Sequence, residues 1–184
     1  MTAHRKRQTR EAILESAARL LCERGPARAS VHEVMSGAGL TVGGFYAHFD
    51  SKEALFEETF RRLAEQAWNE LVEDPTRERL LQFVRRYLSR THRDHPAEGC
   101  PLPSTVGDIE EDSSLRGVLS EQLGRFAEAT GPALGGSDRS LALLALLFGG
   151  LSLARALGAD DPLSQQMLAG CRRFAKDTLN LEEP

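Results

Sequence analysis

Apolar positions recur at helical spacing through most of the chain, and no stretch alternates as a half-buried strand does. Ile13, Ala17, Leu20 and Leu21 share one face of a first helix that begins near Thr9 and is stopped by Gly25-Pro26. Residues 1–8 ahead of it read as a polar, basic, mobile arm. Ser30 and Glu33 have the spacing of a capping box, so a short helix opens there, runs through Val34 and Met35, and closes at Gly37-Ala38-Gly39. Thr41 is the expected N-cap of a very short helix in which Phe45 and Phe49 share a face. Asp50 or Ser51 then caps a longer helix to about Val72, with Phe56, Phe60, Leu63, Ala64, Ala67, Trp68 and Leu71 as its apolar stripe.

Asp74-Pro75 ends that helix and Thr76 starts another, with Leu80, Leu81, Val84, Tyr87, Leu88 and Thr91 inward and Phe83 off the stripe. Prolines and glycines interrupt residues 94–113, which predicts a loop with at most one helical turn. Leu115, Val118, Leu119, Leu123 and Phe126 mark a further helix, stopped by Gly131-Pro132. Two last helices follow, from Ser137 or Asp138 to about Gly158 and from Pro162 or Leu163 to about Leu179. The first is apolar on nearly all sides, which calls for a covering surface beyond a small domain's own core. The fold class is therefore all-α: a three-helix N-terminal module with a helix-turn-helix at about 30–49, then a helical body. The boundaries expected are 1–52 and 53–184.

Charge adds a polarity to this plan. The 184 residues carry a formal net charge of −4. Residues 1–50 hold seven Lys/Arg against five acids, and residues 51–184 hold 16 against 22. A basic front on an acidic body suits a module that meets phosphate. The longest apolar run, Leu141 to Leu153, is short for a bilayer span and reads as a buried helix, and no secretory leader pattern opens the chain. A cytoplasmic protein with no membrane partner is expected. Cys22, Cys100 and Cys171 have no metal-ligand or disulfide spacing, and His92 with His95 lack the partners a metal site needs. Asp108, Glu110, Glu111 and Asp112 read as a solvated acidic loop. No nucleophile elbow, phosphate loop, dinucleotide fingerprint or zinc-protease motif occurs, so neither an enzyme nor a cofactor is expected.

Thr41, Gly43, Tyr46, His48, Phe49, Ser51, Lys52 and Leu55 are the residues through which the chain resembles the TetR family of bacterial transcriptional regulators. The resemblance implies a recognition helix whose first residues, Thr41, Val42, Gly43 and Gly44, read base edges in the major groove. Tyr46, His48 and Lys52 are then contacts to phosphate or sugar, with Ser30 beside them and Arg5 and Lys6 reaching the backbone or minor groove. Val42 is apolar where relatives often carry a polar or basic residue, so a thymine methyl suits it better than a hydrogen bond.

For the body, the resemblance implies a cavity for a small-molecule effector, with Trp68, Phe83, Tyr87, His92, Cys100 and Phe126 as its candidate lining. It also implies a homodimer on double-stranded operator DNA. From the apolar wrap of the last two helices, Leu144, Leu147, Phe148, Leu151, Met167, Cys171 and Phe174 are the expected interface. Such a protein is a repressor released from its operator by its effector. Two other readings stay open: a thiol-switched regulator built on Cys100, since Gly99-Cys100-Pro101-Leu102 resembles a motif of a subset of the family, or a helical enzyme or adaptor that retains a helix-turn-helix. The effector, the operator, the target genes and the choice between repression and activation are not encoded legibly.

Overall fold

In the computed structural model, residues 3–110 and 113–180 are described. Helices make up almost all of that length, and there is no strand among the described residues. They are α1 (Ala3–Arg28), α2 (Val31–Gly37), a 3-10 helix at Val42–Ala47, α3 (Lys52–Glu73), α4 (Arg77–Tyr87), α5 (Arg90–Asp94), the single turn α6 (Leu102–Thr105), α7 (Leu115–Leu134), α8 (Ser137–Leu157) and α9 (Pro162–Asn180). Short 3-10 turns at Pro96–Glu98 and Val106–Asp108 flank α6.

Contacts divide the chain into two compact units, neither of them bounded at 52/53. The first holds residues 1–65 together with 97–119. Its core is Ile13, Leu14, Ala17, Leu21, Val34, Met35, Phe45, Leu55 and Phe56, all buried. Arg10 pairs with Glu58 and Arg62 with Glu11, so two charge-assisted contacts tie α1 to α3. The second segment closes on α1 from elsewhere in the sequence. Cys22 Sγ lies 3.2 Å from Gly99 O, Ser104 Oγ donates to Leu21 O at 2.6 Å, and Ala27 N–H donates to Asp108 Oδ2 at 3.2 Å. Asp108 is thus a structural acceptor here; Glu111 and Asp112 of the same acidic run lie outside the described residues.

The second unit holds residues 66–96 and 120–184. α8 packs along α9, with Leu143, Leu144, Leu147, Leu151 and Ala154 inward from α8 and Leu168, Ala175 and Leu179 from α9. Gly150 is required for that closeness: a β-carbon there would stand 2.7 Å from Cys171 Sγ and 3.2 Å from its Cβ. α8 is 21 residues long with a mean hydropathy of 1.9, enough by length and composition to cross a membrane. Its inward half instead packs as the core of this unit.

Several local expectations are corrected. Residues 3–8 are helical, because Arg, Lys and Gln are good helix formers and nothing in that run breaks the helix. Of the two caps expected for α3, Ser51 takes the role, its Oγ accepting from Ala54 N–H at 3.1 Å. Thr41 sits at the cap position with extended backbone, but its hydroxyl makes no capping hydrogen bond. Phe83 is buried on the stripe Leu80, Phe83, Val84, Tyr87, whereas Thr91 is exposed in the next helix. α7 runs past Gly131-Pro132 to Leu134, since a proline in the last turn forfeits only one helical hydrogen bond.

Candidate functional site

The exposed end of the first unit is built by local chemistry. Ser30 Oγ accepts from Glu33 N–H at 3.2 Å while Glu33 Oε2 accepts from Ser30 N–H at 3.0 Å, which closes the capping box and starts α2. Those bonds, with Arg24 beside them, hold the Glu33 carboxyl below its ordinary range. Gly39 takes φ +70, the left-handed conformation that the turn between the two helices needs and that glycine adopts without strain. Phe45 is fully buried and stacks on Phe49 at 5.9 Å between centroids, anchoring the 3-10 helix in the core. Everything else at its leading end faces outward. Thr41, Val42, Gly43 and Gly44 are exposed, and Tyr46 is 73% exposed.

The glycines there have no internal cause. A β-carbon on Gly43 would meet nothing within 4 Å, and one on Gly44 only Met35 Cε at 3.9 Å. Packing does not demand bareness at either position. Arg10 lies over the Phe49 ring at 4.6 Å, and Lys52 Nζ over Phe56 at 5.8 Å. His48 is partly buried, and its Nδ1 has no partner among the described residues. Burial first, then the charges of Lys6 and Arg10, push its pKa down. Arg5 and Lys6 are exposed on the first turns of α1 rather than on a free arm. Ser30 differs from the rest of the expected set: its hydroxyl is committed to Glu33, so its role is to hold α2.

The second unit contains an aromatic interior. Trp68 and Phe126 lie 5.4 Å apart between centroids, Phe83 and Phe126 6.2 Å, and Phe83 and Tyr87 5.6 Å. His92 meets Tyr87 edge to face at 4.8 Å, with its Nδ1 2.8 Å from Tyr87 O. Burial, with Arg155 and Arg86 adding to it, lowers the His92 pKa and favours the neutral ring. Five of the six expected lining residues therefore gather. Cys100 does not: it is buried in the first unit, in the segment clasped to α1.

Gln122 was missed. It is fully buried on α7, one turn ahead of Phe126 on the same face, and neither its amide nitrogen nor its oxygen has a partner among the described residues. The Trp68 indole N–H is also buried without one. The only sequence signal was a polar residue at an inward helical position. Each such group costs about 1–3 kcal/mol if left unpaired.

The expected interface residues separate as well. Leu144, Leu147 and Leu151 are buried within their own chain and cannot meet a partner. Cys171 packs on Gly150, and its pKa is raised by burial. Phe148 and Met167 are half-buried, and Phe174 is 65% exposed. Leu141, Leu153, Leu157 and Leu163 join Phe174 as the outward apolar residues of α8 and α9. A shallow apolar groove of about 100 Å³ runs beside Phe174, between Leu143, Leu146 and Leu179.

A family model described as bacterial regulatory proteins, tetR family, matches residues 13–59. An uncharacterised HTH-type transcriptional regulator of Mycobacterium tuberculosis is 31% identical over 140 residues, spanning 72% of this chain and 68% of that protein. The HTH-type transcriptional repressor NemR of Escherichia coli is 29% identical over 135 residues, spanning 65% and 68%. Among solved structures, reduced E. coli NemR superposes with a TM-score of 0.75 at 21% identity, over 92% of this chain and 97% of that one. A TetR-family transcriptional regulator from Rhodococcus sp. gives 0.72 at 17%, over 94% and 99%.

Proposed function

From the premise that the chain belongs to the TetR family of bacterial regulatory proteins and is a DNA-binding transcriptional regulator, we propose that it is a repressor released from its operator by a small neutral effector. The observation that carries the DNA half is the bare, outward tip Thr41–Gly44 on a rigid Phe45 anchor, with Tyr46, His48, Lys52, Arg5 and Lys6 around it. Thr41 keeps its hydroxyl for a base edge because it makes no capping bond. Gly43 and Gly44 let backbone approach the groove floor, and the cations supply phosphate contacts whose strength falls with salt.

The effector half rests on Gln122 and Trp68. Their unpartnered buried groups lie in the unit that gathers Phe83, Tyr87 and Phe126, and its His92 is held neutral. The segment 97–119 runs into the start of α7 and is fastened to α1 through Gly99, Ser104 and Asp108. An effector that moves α7 therefore pulls on a strap bonded to α1, the helix on which α2 packs. Release then follows from differential affinity for the two conformers.

The active form is a homodimer acting on double-stranded DNA in the cytoplasm. Leu141, Leu153, Leu157, Leu163 and Phe174 form its interface, and two reading heads match half-sites about 34–36 Å apart. The thiol-switch reading is not favoured, because Cys100 is buried in the segment clasped to α1. Selection of bound fragments from random duplexes tests the whole proposal. A palindrome with half-sites one turn apart supports it; binding without sequence preference overturns it.

A further inference from the structure

A groove of about 660 Å³ runs between α4 and α9, within the second unit but outside its aromatic interior. Its floor is apolar: Leu81 and Val84 from α4, and Ala169 from α9. Its rim is cationic, with Arg85 from α4 and Arg172, Arg173 and Lys176 from α9, and Gln166 adds an amide. No carboxylate is among its lining residues.

The segregation is local. Residues 66–96 and 120–184 hold twelve Lys/Arg and thirteen Asp/Glu, so the unit as a whole is close to neutral. Arg85, Arg173 and Lys176 make no hydrogen bond or ion pair among the described residues. Arg172 is half-buried and donates to Leu88 O at the end of α4, which fixes one guanidinium at the groove wall. Four like charges converging without a counter-charge repel one another, and an anion between them relieves that repulsion. The volume lies in the range of small-molecule sites, about 300–1,000 Å³.

This surface is also distinct from the outward apolar face. Positions 166, 169, 173 and 176 follow one another at helical spacing, while 163, 167 and 174 follow another face of α9. A second copy seated on Leu163 and Phe174 leaves the groove open.

We infer that the groove is a second ligand site, for an amphipathic anion. A phosphate or carboxylate head sits among Arg85, Arg172, Arg173 and Lys176, and a short apolar tail lies along Leu81, Val84 and Ala169. Because such a ligand bridges α4 and α9, it stabilises the folded unit in proportion to its occupancy. Neither the DNA-reading residues nor the aromatic interior takes part.

Titration calorimetry of the full chain with monomeric decyl phosphate tests this. The wild-type chain is expected to bind it, less tightly as salt rises. Arg173→Glu/Lys176→Glu, both exposed, is expected to weaken binding at least about tenfold while folding and operator binding stay unchanged. Gln122→Leu is expected to bind decyl phosphate as the wild type does, which separates this site from the effector interior. Four results overturn the inference. Undiminished binding by the double variant removes the rim. Inorganic phosphate binding as tightly as decyl phosphate removes the floor. Sedimentation with anionic vesicles, without heat from the monomeric amphiphile, makes the surface a membrane contact. A marked gain in affinity in Glu182→Gln/Glu183→Gln makes the chain's own acidic end the occupant.

Discussion

The backbone carbonyl of Ser104 stands where a β-carbon on Gly25 would come within 2.1 Å of it. Gly25 has φ +78, so a side chain there meets both strain and a backbone wall. Together with the Ser104 hydroxyl on Leu21 O, this contact lets the segment 97–119 close on the end of α1. Gly25→Ala is expected to destabilise the chain by about 2–4 kcal/mol, the range of a lost close contact added to left-handed strain. Urea denaturation followed by circular dichroism measures it. A change below about 0.5 kcal/mol, the scatter of surface substitutions, counts against the contact.

Gly43 gives the opposite expectation. Nothing lies within 4 Å of its β position, so Gly43→Glu leaves the melting temperature close to wild type. Its operator affinity falls by about 1–3 kcal/mol or more, because a carboxylate then faces the groove. Lys52→Ala, by contrast, weakens binding to all sequences alike and lowers the salt slope by about 1. Fluorescence anisotropy with labelled duplexes at several salt concentrations reads both.

Gln122→Leu removes two buried polar atoms that have no partner among the described residues. Stability is expected to hold or to rise by about 1 kcal/mol, since an unpaired amide is replaced by an apolar group of similar size. Effector-induced release from DNA is expected to be lost. A variant that is strongly destabilised shows that the amide is satisfied within the fold.

His92 sets a pH dependence. Burial and the nearby arginines lower its folded pKa below the ordinary 6.5, so the unfolded chain binds the proton more readily. Stability is therefore full above about 6.5 and is lost as pH falls through the lower folded value. His92→Asn is expected to flatten that part of the profile. Thermal melts across the acid side of neutrality, wild type against variant, show the difference.

Leu153→Asp or Phe174→Asp places a charge on the outward face of α8 or α9 without touching that unit's core. Either is expected to shift the chain from dimer to monomer in sedimentation at micromolar concentration and to abolish tight operator binding. Leu147→Asp instead unfolds the unit, because Leu147 is fully buried within its own chain.

Residues 30–59 of the first unit were largely legible in the order of residues, whereas the closure of 97–119 on α1 was not. The features of 30–59 are local: the Ser30–Glu33 box and the Gly39 turn are set by neighbours within a few positions, and the Phe45–Phe49 face by helical periodicity. Such short-range interactions depend little on the rest of the fold. In the same unit, the role of Ser51 over Asp50 and the helical state of residues 3–8 rested on small propensity differences that the pattern did not resolve.

The second unit was legible as helices and only partly as a site. Periodicity marks residues as inward, but in a helix such as α8, apolar on nearly all sides, it does not say which side meets its own chain. Packing against α9 assigned Leu144, Leu147 and Leu151 to the interior and left Leu153 and Phe174 outside. Cys100 and the aromatic residues lie in one stretch of sequence, yet the clasp of Gly99 and Ser104 on α1 draws Cys100 into the other unit. Sequence by itself determined most of the helices, the Ser30–Glu33 cap and the Gly39 turn, because their causes lie within a turn or two of each residue. The tertiary structure alone decided which distant groups meet — Gln122 beside the rings, Arg85 across from Arg173 — because those neighbours are fixed by how helices pack.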